Sequence, residues 1–229
     1  MMDILQRRTF GRKTVRLSKS QEKLLGSVLP DLEIPFCEDK IDLSRYFAES
    51  GPLHLEIGFG DGEYTAALSE RFPEHRIIGC EVFKNGIAAL LKLIESKSLK
   101  NIRILQKDAV IALNHMFNKE TFDYIHLNHP DPWPKKRHHK RRIIQSDTVA
   151  LFESALKQGG ELLISTDICE YYSWILEHME ELKLLKRMPV SGRFLDSFNK
   201  ERIVTRFERK GNENGRETRY LRYKKVSFS

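Results

Sequence analysis

From Leu53 onward, short apolar runs alternate with longer amphipathic stretches. "LHLEI" (53–57), "RIIGCEV" (76–82), "NIRILQKD" (101–108), "TFDYIHLN" (121–128) and "GELLISTD" (160–167) have the length and β-branched content of buried strands. Between them, "DGEYTAALSERF" (61–72), "NGIAALLKLIESKS" (85–98), "AVIALNHMF" (109–117), "SDTVALFESALKQ" (146–158) and "CEYYSWILEHMEE" (169–181) carry apolar residues at helical spacing. Ser146 is placed to cap the fourth of these helices, and Gly159 and Gly160 to stop it. Upstream, "SKSQEKLLGSVLP" predicts a short helix with Ser18 and Gln21 at capping-box spacing and Pro30 after its end. Past 184 the pattern changes: "IVTRFERKG" (203–211) and "ETRYLRYKKV" (217–226) predict strands around a Gly/Asn loop. Strands and helices alternating at this spacing specify right-handed βαβ units. The expected fold is α/β: a mostly parallel Rossmann-like sheet, helices on both faces, and an antiparallel C-terminal edge hairpin. The 229 residues suit a single domain, with a basic, mobile arm at 1–17 and the core at 53–229.

Charge adds a partner to this picture. The formal net charge is +7 and the cations cluster, in "RRTFGRKTVR" (Arg7 to Arg16) and from Lys135 to Arg142. Clustered cations point to a polyanion. The three cysteines, Cys37, Cys80 and Cys169, are far apart and form no C-x-x-C, so neither a disulfide frame nor a zinc knuckle is expected. That usage suits a reducing, cytoplasmic setting. No apolar run approaches the ~18 residues of a membrane span. His126, His129, His138 and His139 lack metal-ligand spacing, so no metal is expected.

Candidate chemistry begins at "LEIGFGDG", where Gly58, Gly60 and Gly62 follow a strand and precede a helix. Glycines let the backbone approach a ligand and adopt positive φ. The G-x-G-x-G spacing differs from the dinucleotide fingerprint and is weak evidence alone. Three acids sharpen it. Glu56 lies within the first strand, Glu81 ends the second and Asp108 the third. At such positions carboxylates can accept from ribose hydroxyls and an adenine amino group, or meet a cation. Asp61 and Glu63 also open the following helix, which disfavours a pyrophosphate and favours a cationic cofactor such as S-adenosylmethionine.

The fourth strand runs into "HPDPWPKKRHHKRR". Pro130 and Pro132 stiffen the chain on both sides of Asp131. Trp133 offers a stacking face for a base, and the cations beyond it offer phosphate partners. Guanine N7 has an in-plane lone pair. It needs alignment rather than a base, so Asp131 would orient the purine by accepting from its N–H groups.

These strings resemble the bacterial tRNA (guanine-N7)-methyltransferases. "RTFGRKTVRLSKSQ" is similar to that family's basic arm, "LEIGFGDG", "GCEV" and "KDA" to its cofactor motifs, and "PDPWPKKRHHKRRIIQ" to its most specific signature. "STD" (165–167) and "VTRFERKG" (204–211) resemble its later substrate elements. Asn128-His129 departs from the apolar or aromatic pair common there. The resemblance implies a class I, S-adenosylmethionine-dependent methyltransferase acting on guanine 46 of the tRNA variable loop. It implies Asp131 as the catalytic residue and Glu56, Glu81, Asp108 and Asp131 as cofactor contacts, with the glycines Gly58, Gly60 and Gly62. It further implies Lys135, Asp167, Thr205, Arg206, Phe207 and Glu208 as substrate contacts. Arg137, His138, His139, Lys140, Arg141 and Arg142 would face the RNA. The implied partner is tRNA, with the protein a monomer or homodimer. From the residues alone, a nucleotide-dependent oxidoreductase, an amine-directed methyltransferase and a non-catalytic RNA-binding module stay open.

Overall fold

A computed structural model describes residues 9–11, 16–180, 184–190, 209, 211, 213 and 215–227. Seven strands form one mostly parallel sheet in the order β3-β2-β1-β4-β5-β7-β6. The chain divides into two compact units, residues 13–118, and residues 1–12 with 119–229.

In the first unit, β1 (Leu53–Ile57), β2 (Arg76–Cys80) and β3 (Ile102–Leu105) pair in parallel, with Leu55 opposite Ile78 and Gly79 opposite Ile104. All five residues of β1 are buried, as expected of a strand covered on both faces. Helices α3 (Glu63–Arg71), α4 (Lys84–Lys97) and α5 (Ala109–His115) follow the three strands in turn. At the start, α1 (Lys19–Ser27) is closed by the expected box: Gln21 N donates to Ser18 Oγ, and Ser18 N donates to Gln21 Oε1. Pro30 does not merely follow this helix. It sits in the first turn of a second short helix, α2 (Leu29–Leu32), where its missing N–H costs nothing.

In the second unit, β4 (Phe122–Asn128) pairs in parallel with β5 (Leu156–Thr166). Between them a 3₁₀ turn (Lys136–Arg141) precedes α6 (Ser146–Ala155). Ser146 is the first residue of α6 and not its cap; Gln145 holds that position, with its N–H donating to Thr148 Oγ1 at 3.1 Å. Nor do Gly159 and Gly160 stop the helix. It ends at Ala155, and both glycines lie inside β5, where the register jumps between Phe122 and Tyr124. Gly159 takes φ +76, and a Cβ on Gly160 would lie 3.1 Å from the carbonyls of Phe122 and Asp123. Glycine there makes a bulge.

Downstream, α7 is Cys169–Glu180, β6 Leu185–Met188 and β7 Arg219–Lys225. The closing antiparallel hairpin exists, but β7 pairs β5 on one side and β6 on the other. Of the expected strand at 203–211, residues 203–208 and 210 lie outside the described residues, while Arg209 and Gly211 are helical. The expected arm at 1–17 likewise lies mostly outside the described residues.

His126, in β4, is fully buried, and burial pushes its imidazole from 6.5 down to about 3. The folded pKa is below the unfolded one, so the stability it allows is present above pH 6.5 and is lost as pH falls toward 3. The loss runs at up to about 1.4 kcal/mol per pH unit. His126→Gln is therefore expected to flatten the acid limb of the thermal midpoint against pH, measured by differential scanning calorimetry between neutral pH and pH 4.5.

Candidate active site

Three glycines turn the chain from β1 into α3. Gly58, Gly60 and Gly62 take φ values of 72, 61 and 78°. At Gly62 the requirement is double, because a Cβ would also lie 2.6 Å from Leu90 Cβ. Gly58 is exposed and a Cβ there would meet nothing within 4 Å, so open space lies over that peptide. A fourth glycine escaped the sequence reading. Gly86, in the first turn of α4, lets that helix approach the turn so closely that a Cβ would lie 2.2 Å from the Gly60 carbonyl oxygen. Its signal was a glycine in the opening turn of an amphipathic helix.

The three acids of this unit gather at the carboxyl ends of β1 to β3. Glu56 is 1 % exposed, and its Oε2 accepts from Thr65 Oγ1 of α3. Glu81 follows β2 directly. Its Oε2 accepts from Gly60 N at 3.0 Å, and its Oε1 from Val82 N at 2.7 Å and Phe83 N at 3.0 Å. The glycine turn is thereby tied to the end of β2, as it is by Gly58 N donating to the Cys80 carbonyl at 2.8 Å. Asp108 caps α5, accepting from Val110 N at 2.8 Å. The Cys80 thiol registers the cluster: burial raises its pKa first, and the charges of Asp108 and then Glu81 raise it further. A ligand suited to this site brings donors or positive charge, and it approaches over bare backbone. The residues fit a nucleoside with a cationic tail.

In the second unit, Asn128 ends β4 and its Oδ1 accepts from Ser165 Oγ at 3.2 Å. His129 N donates to the Ser165 carbonyl at 3.0 Å. The next residues form an arch with a left-handed residue at each foot, His129 at φ 47° and Trp133 at φ 44°. Asp131 is exposed at its middle, between two prolines. Non-glycine residues hold such φ values only where surrounding contacts over-determine them. Here Arg142 Nε donates to the Pro132 carbonyl at 2.8 Å, and Trp133 Nε1 donates to the Thr9 carbonyl at 3.0 Å.

One face of Trp133 is taken by a cation of its own chain. The Arg141 guanidinium stacks on its ring at 3.7 Å and also donates to the Phe10 carbonyl, and His138 meets the ring edge-on at 5.8 Å. This pairing follows from the 3₁₀ turn, whose three-residue period puts His138 and Arg141 on one row. Arg137 and Lys140 form another row and are exposed, with Lys135 and Lys136 beside them. Desolvation first, and then the neighbouring cations Arg137, Arg141, Lys135 and Lys140, hold the His138 imidazole below its usual range. His139 turns its ring onto Trp174 at 5.4 Å. Arg142, expected to face RNA, is fully buried. Its guanidinium binds the Pro132 carbonyl and Glu170, which removes it from any RNA-facing surface.

Asp167, just past β5, pairs with Arg216 Nε at 2.9 Å through Oδ2 and with His129 Nδ1 at 3.6 Å through Oδ1. Gly211 packs against it, a Cβ there lying 3.1 Å from Oδ2. Sequence reasoning missed Arg216, Glu170, Trp174 and the carbonyls of Thr9 and Phe10, because nothing in local spacing links them to the arch. Thr205, Arg206, Phe207 and Glu208 lie outside the described residues.

Comparison with known proteins agrees with these features. Residues 50–221 match a family model described as "Putative methyltransferase". Among solved structures, the 16S rRNA methyltransferase KamB aligns with a TM-score of 0.55 at 12% identity, covering 97% of this chain and 100% of that one. An rRNA methylase from Streptococcus thermophilus gives 0.52 at 12% identity, covering 78% and 89%. At such identity they share only the fold. Sequence relatives are nearer. The tRNA (guanine-N(7)-)-methyltransferase of Nitrosospira multiformis is 39% identical over 210 residues, 92% of this chain and 90% of the relative. That of Cupriavidus necator is 39% identical over 204 residues, 89% and 78% respectively. With a methyltransferase model over most of its length and relatives of this identity and coverage, the chain belongs to the tRNA (guanine-N(7)-)-methyltransferase family.

Proposed function

We propose that this protein methylates N7 of guanine 46 in the variable loop of tRNA, using S-adenosylmethionine, in the cytoplasm. The observation that carries this reading is the arch: one exposed carboxylate, Asp131, on a clamped loop that runs directly into exposed Lys135, Lys136, Arg137 and Lys140. The cofactor supplies a methyl group on a positively charged sulfur. Glu81 and Asp108 accept from its nucleoside, Glu56 offsets its positive charge, and Gly58 lets it approach the backbone.

On the substrate side, the exposed cations hold phosphates and orient the RNA. A loop guanine reaches the arch with less unstacking than a paired one. N7 already carries a lone pair, so no group must remove a proton first. Transfer turns a neutral base into a cation. A carboxylate accepting from the base's N–H groups therefore binds the developing charge more tightly than the starting base. That is the work assigned to Asp131. Asp167, with Thr205, Arg206, Phe207 and Glu208, completes the base site in this reading, and residues 1–17 serve as a basic RNA arm.

The test is to incubate the protein with tRNA lacking the modification and labelled cofactor, then cleave chemically at N7-methylguanosine. A single cut in the variable loop is expected. Label on an exocyclic amine, or no label with tight tRNA binding, would overturn the reading. The cofactor side has its own check. Gly86→Ala drives the Gly60 carbonyl from its place, and overpacking of this kind costs about 1–3 kcal/mol. By calorimetry, S-adenosylmethionine affinity is expected to fall about five- to hundredfold.

A further inference from the structure

Arg142 is a guanidinium with 0 % exposure, next to a run of cations that face water. Its Nε donates to the Pro132 carbonyl at 2.8 Å, and its Nη2 donates to Glu170 Oε2 at 2.6 Å. The ring of Tyr171 lies 5.2 Å from its Cζ and that of Trp174 4.6 Å. Three of these four partners belong to the first turns of α7, where a spacing of three and four residues puts Glu170, Tyr171 and Trp174 on neighbouring rows. Glu170 responds to the contact: its hydrogen bond to Arg142 holds its carboxyl below the usual range.

Burying such a charge is costly, and well-packed apolar residues would stabilise a core at least as well. Among the described residues Nη1 has no hydrogen-bond partner, which adds to that cost. What only a guanidinium does here is reach two acceptors in fixed directions at once. One acceptor is the backbone of the arch, one residue beyond Asp131. The other is the start of α7. Asp131 is also near enough to this cluster for its charge to raise the pKa of Tyr171, after burial as the larger cause.

We propose that Arg142 is the positioning residue of the reaction: it fixes the arch to α7 and so sets where Asp131 presents its carboxylate. It touches neither RNA nor cofactor. This inference rests on the role given to Asp131 above.

The experiment uses the full chain with unmodified tRNA and compares Arg142→Met, Arg142→Lys, Glu170→Gln and Ile175→Ala. Ile175 is a fully buried residue of the same helix and serves as the control for stability alone. Single-turnover rates at saturating tRNA and cofactor are read beside tRNA affinity and the thermal midpoint. Arg142→Met is expected to slow transfer about 100-fold, the scale of an ångström-level misplacement, with tRNA affinity within about twofold. Arg142→Lys recovers little, since a point charge cannot hold both acceptors. Glu170→Gln keeps the bond to Pro132 and is expected to lose only a few-fold. Should Arg142→Met fail to fold, Arg142→Lys and Glu170→Gln decide.

Unchanged rates overturn the proposal. So does a loss of tRNA affinity at an unchanged rate, which would make Arg142 an RNA contact. So does an equal slowing in Ile175→Ala at a matched fall in thermal midpoint. A second readout is independent of activity: trypsin should cut between Lys135 and Arg141 faster in Arg142→Lys than in wild type, without RNA or cofactor present. Wild-type protein that leaves N7 unmethylated sinks the proposed function, whereas an unreleased loop sinks the positioning role.

Discussion

Replacing Asp131 by Asn is expected to slow single-turnover methyl transfer about 100- to 1000-fold while tRNA affinity stays within about threefold. Asn keeps the size and one acceptor oxygen but removes the charge. The loss therefore reads the part of the interaction that grows as the base becomes cationic. Asp131→Ala removes the acceptor as well and should be slower still. The thermal midpoint should hardly move, because Asp131 is exposed and the arch is kept by its neighbours: Ser165 at one foot, Arg142 at the other. The pH dependence offers a second check. An acceptor works as a carboxylate, so the rate should not rise on acidification. A profile that requires the protonated acid would contradict this assignment, as would a loss confined to tRNA affinity.

The second large effect concerns the cations. Changing Lys135, Arg137 and Lys140 together to Gln is expected to weaken tRNA binding about 100-fold at low salt, taking about 1 kcal/mol for each charge-assisted contact. Cofactor affinity should be unchanged. The slope of log affinity against log salt should become shallower by about 2 to 3, since three phosphate contacts no longer release counterions. Lys140 takes the place that Arg141 would have had on charge alone. Arg141 stacks on Trp133 and binds the Phe10 carbonyl, so its replacement would disturb the arch and the arm contact together. Filter binding at four salt concentrations with one tRNA, beside calorimetry with the cofactor, separates the two sides. Parallel loss of RNA and cofactor affinity would refute the division of labour.

The family assignment closes alternatives that the residues alone left open. A Gly-rich turn with acids at the strand ends is compatible with several nucleotide enzymes. The relatives at 39% identity over about nine-tenths of the chain belong to one of them.

Sequence alone determined the alternation of strands and helices, the parallel sheet, and the gathering of Glu56, Glu81 and Asp108 at one edge of the first unit. That was legible because a right-handed βαβ series has one arrangement, and it brings the ends of successive parallel strands to the same edge. The capping box at Ser18 was legible for a similar reason, since both partners lie within one turn. Tertiary structure decided the rest. Gly159 and Gly160 act as helix stops in the local pattern, and only the register against β4 makes them a bulge. The run from Lys135 to Arg142 reads as uniform charge, yet the fold divides it three ways: outward, onto Trp133, and into the core. The 3₁₀ period set the rows. The aromatic faces and Glu170 that drew Arg142 inward come from α7, and the carbonyls that hold Trp133 and Arg141 from Thr9 and Phe10. Contacts between segments so distant along the chain are chosen by packing, which leaves no trace in local spacing.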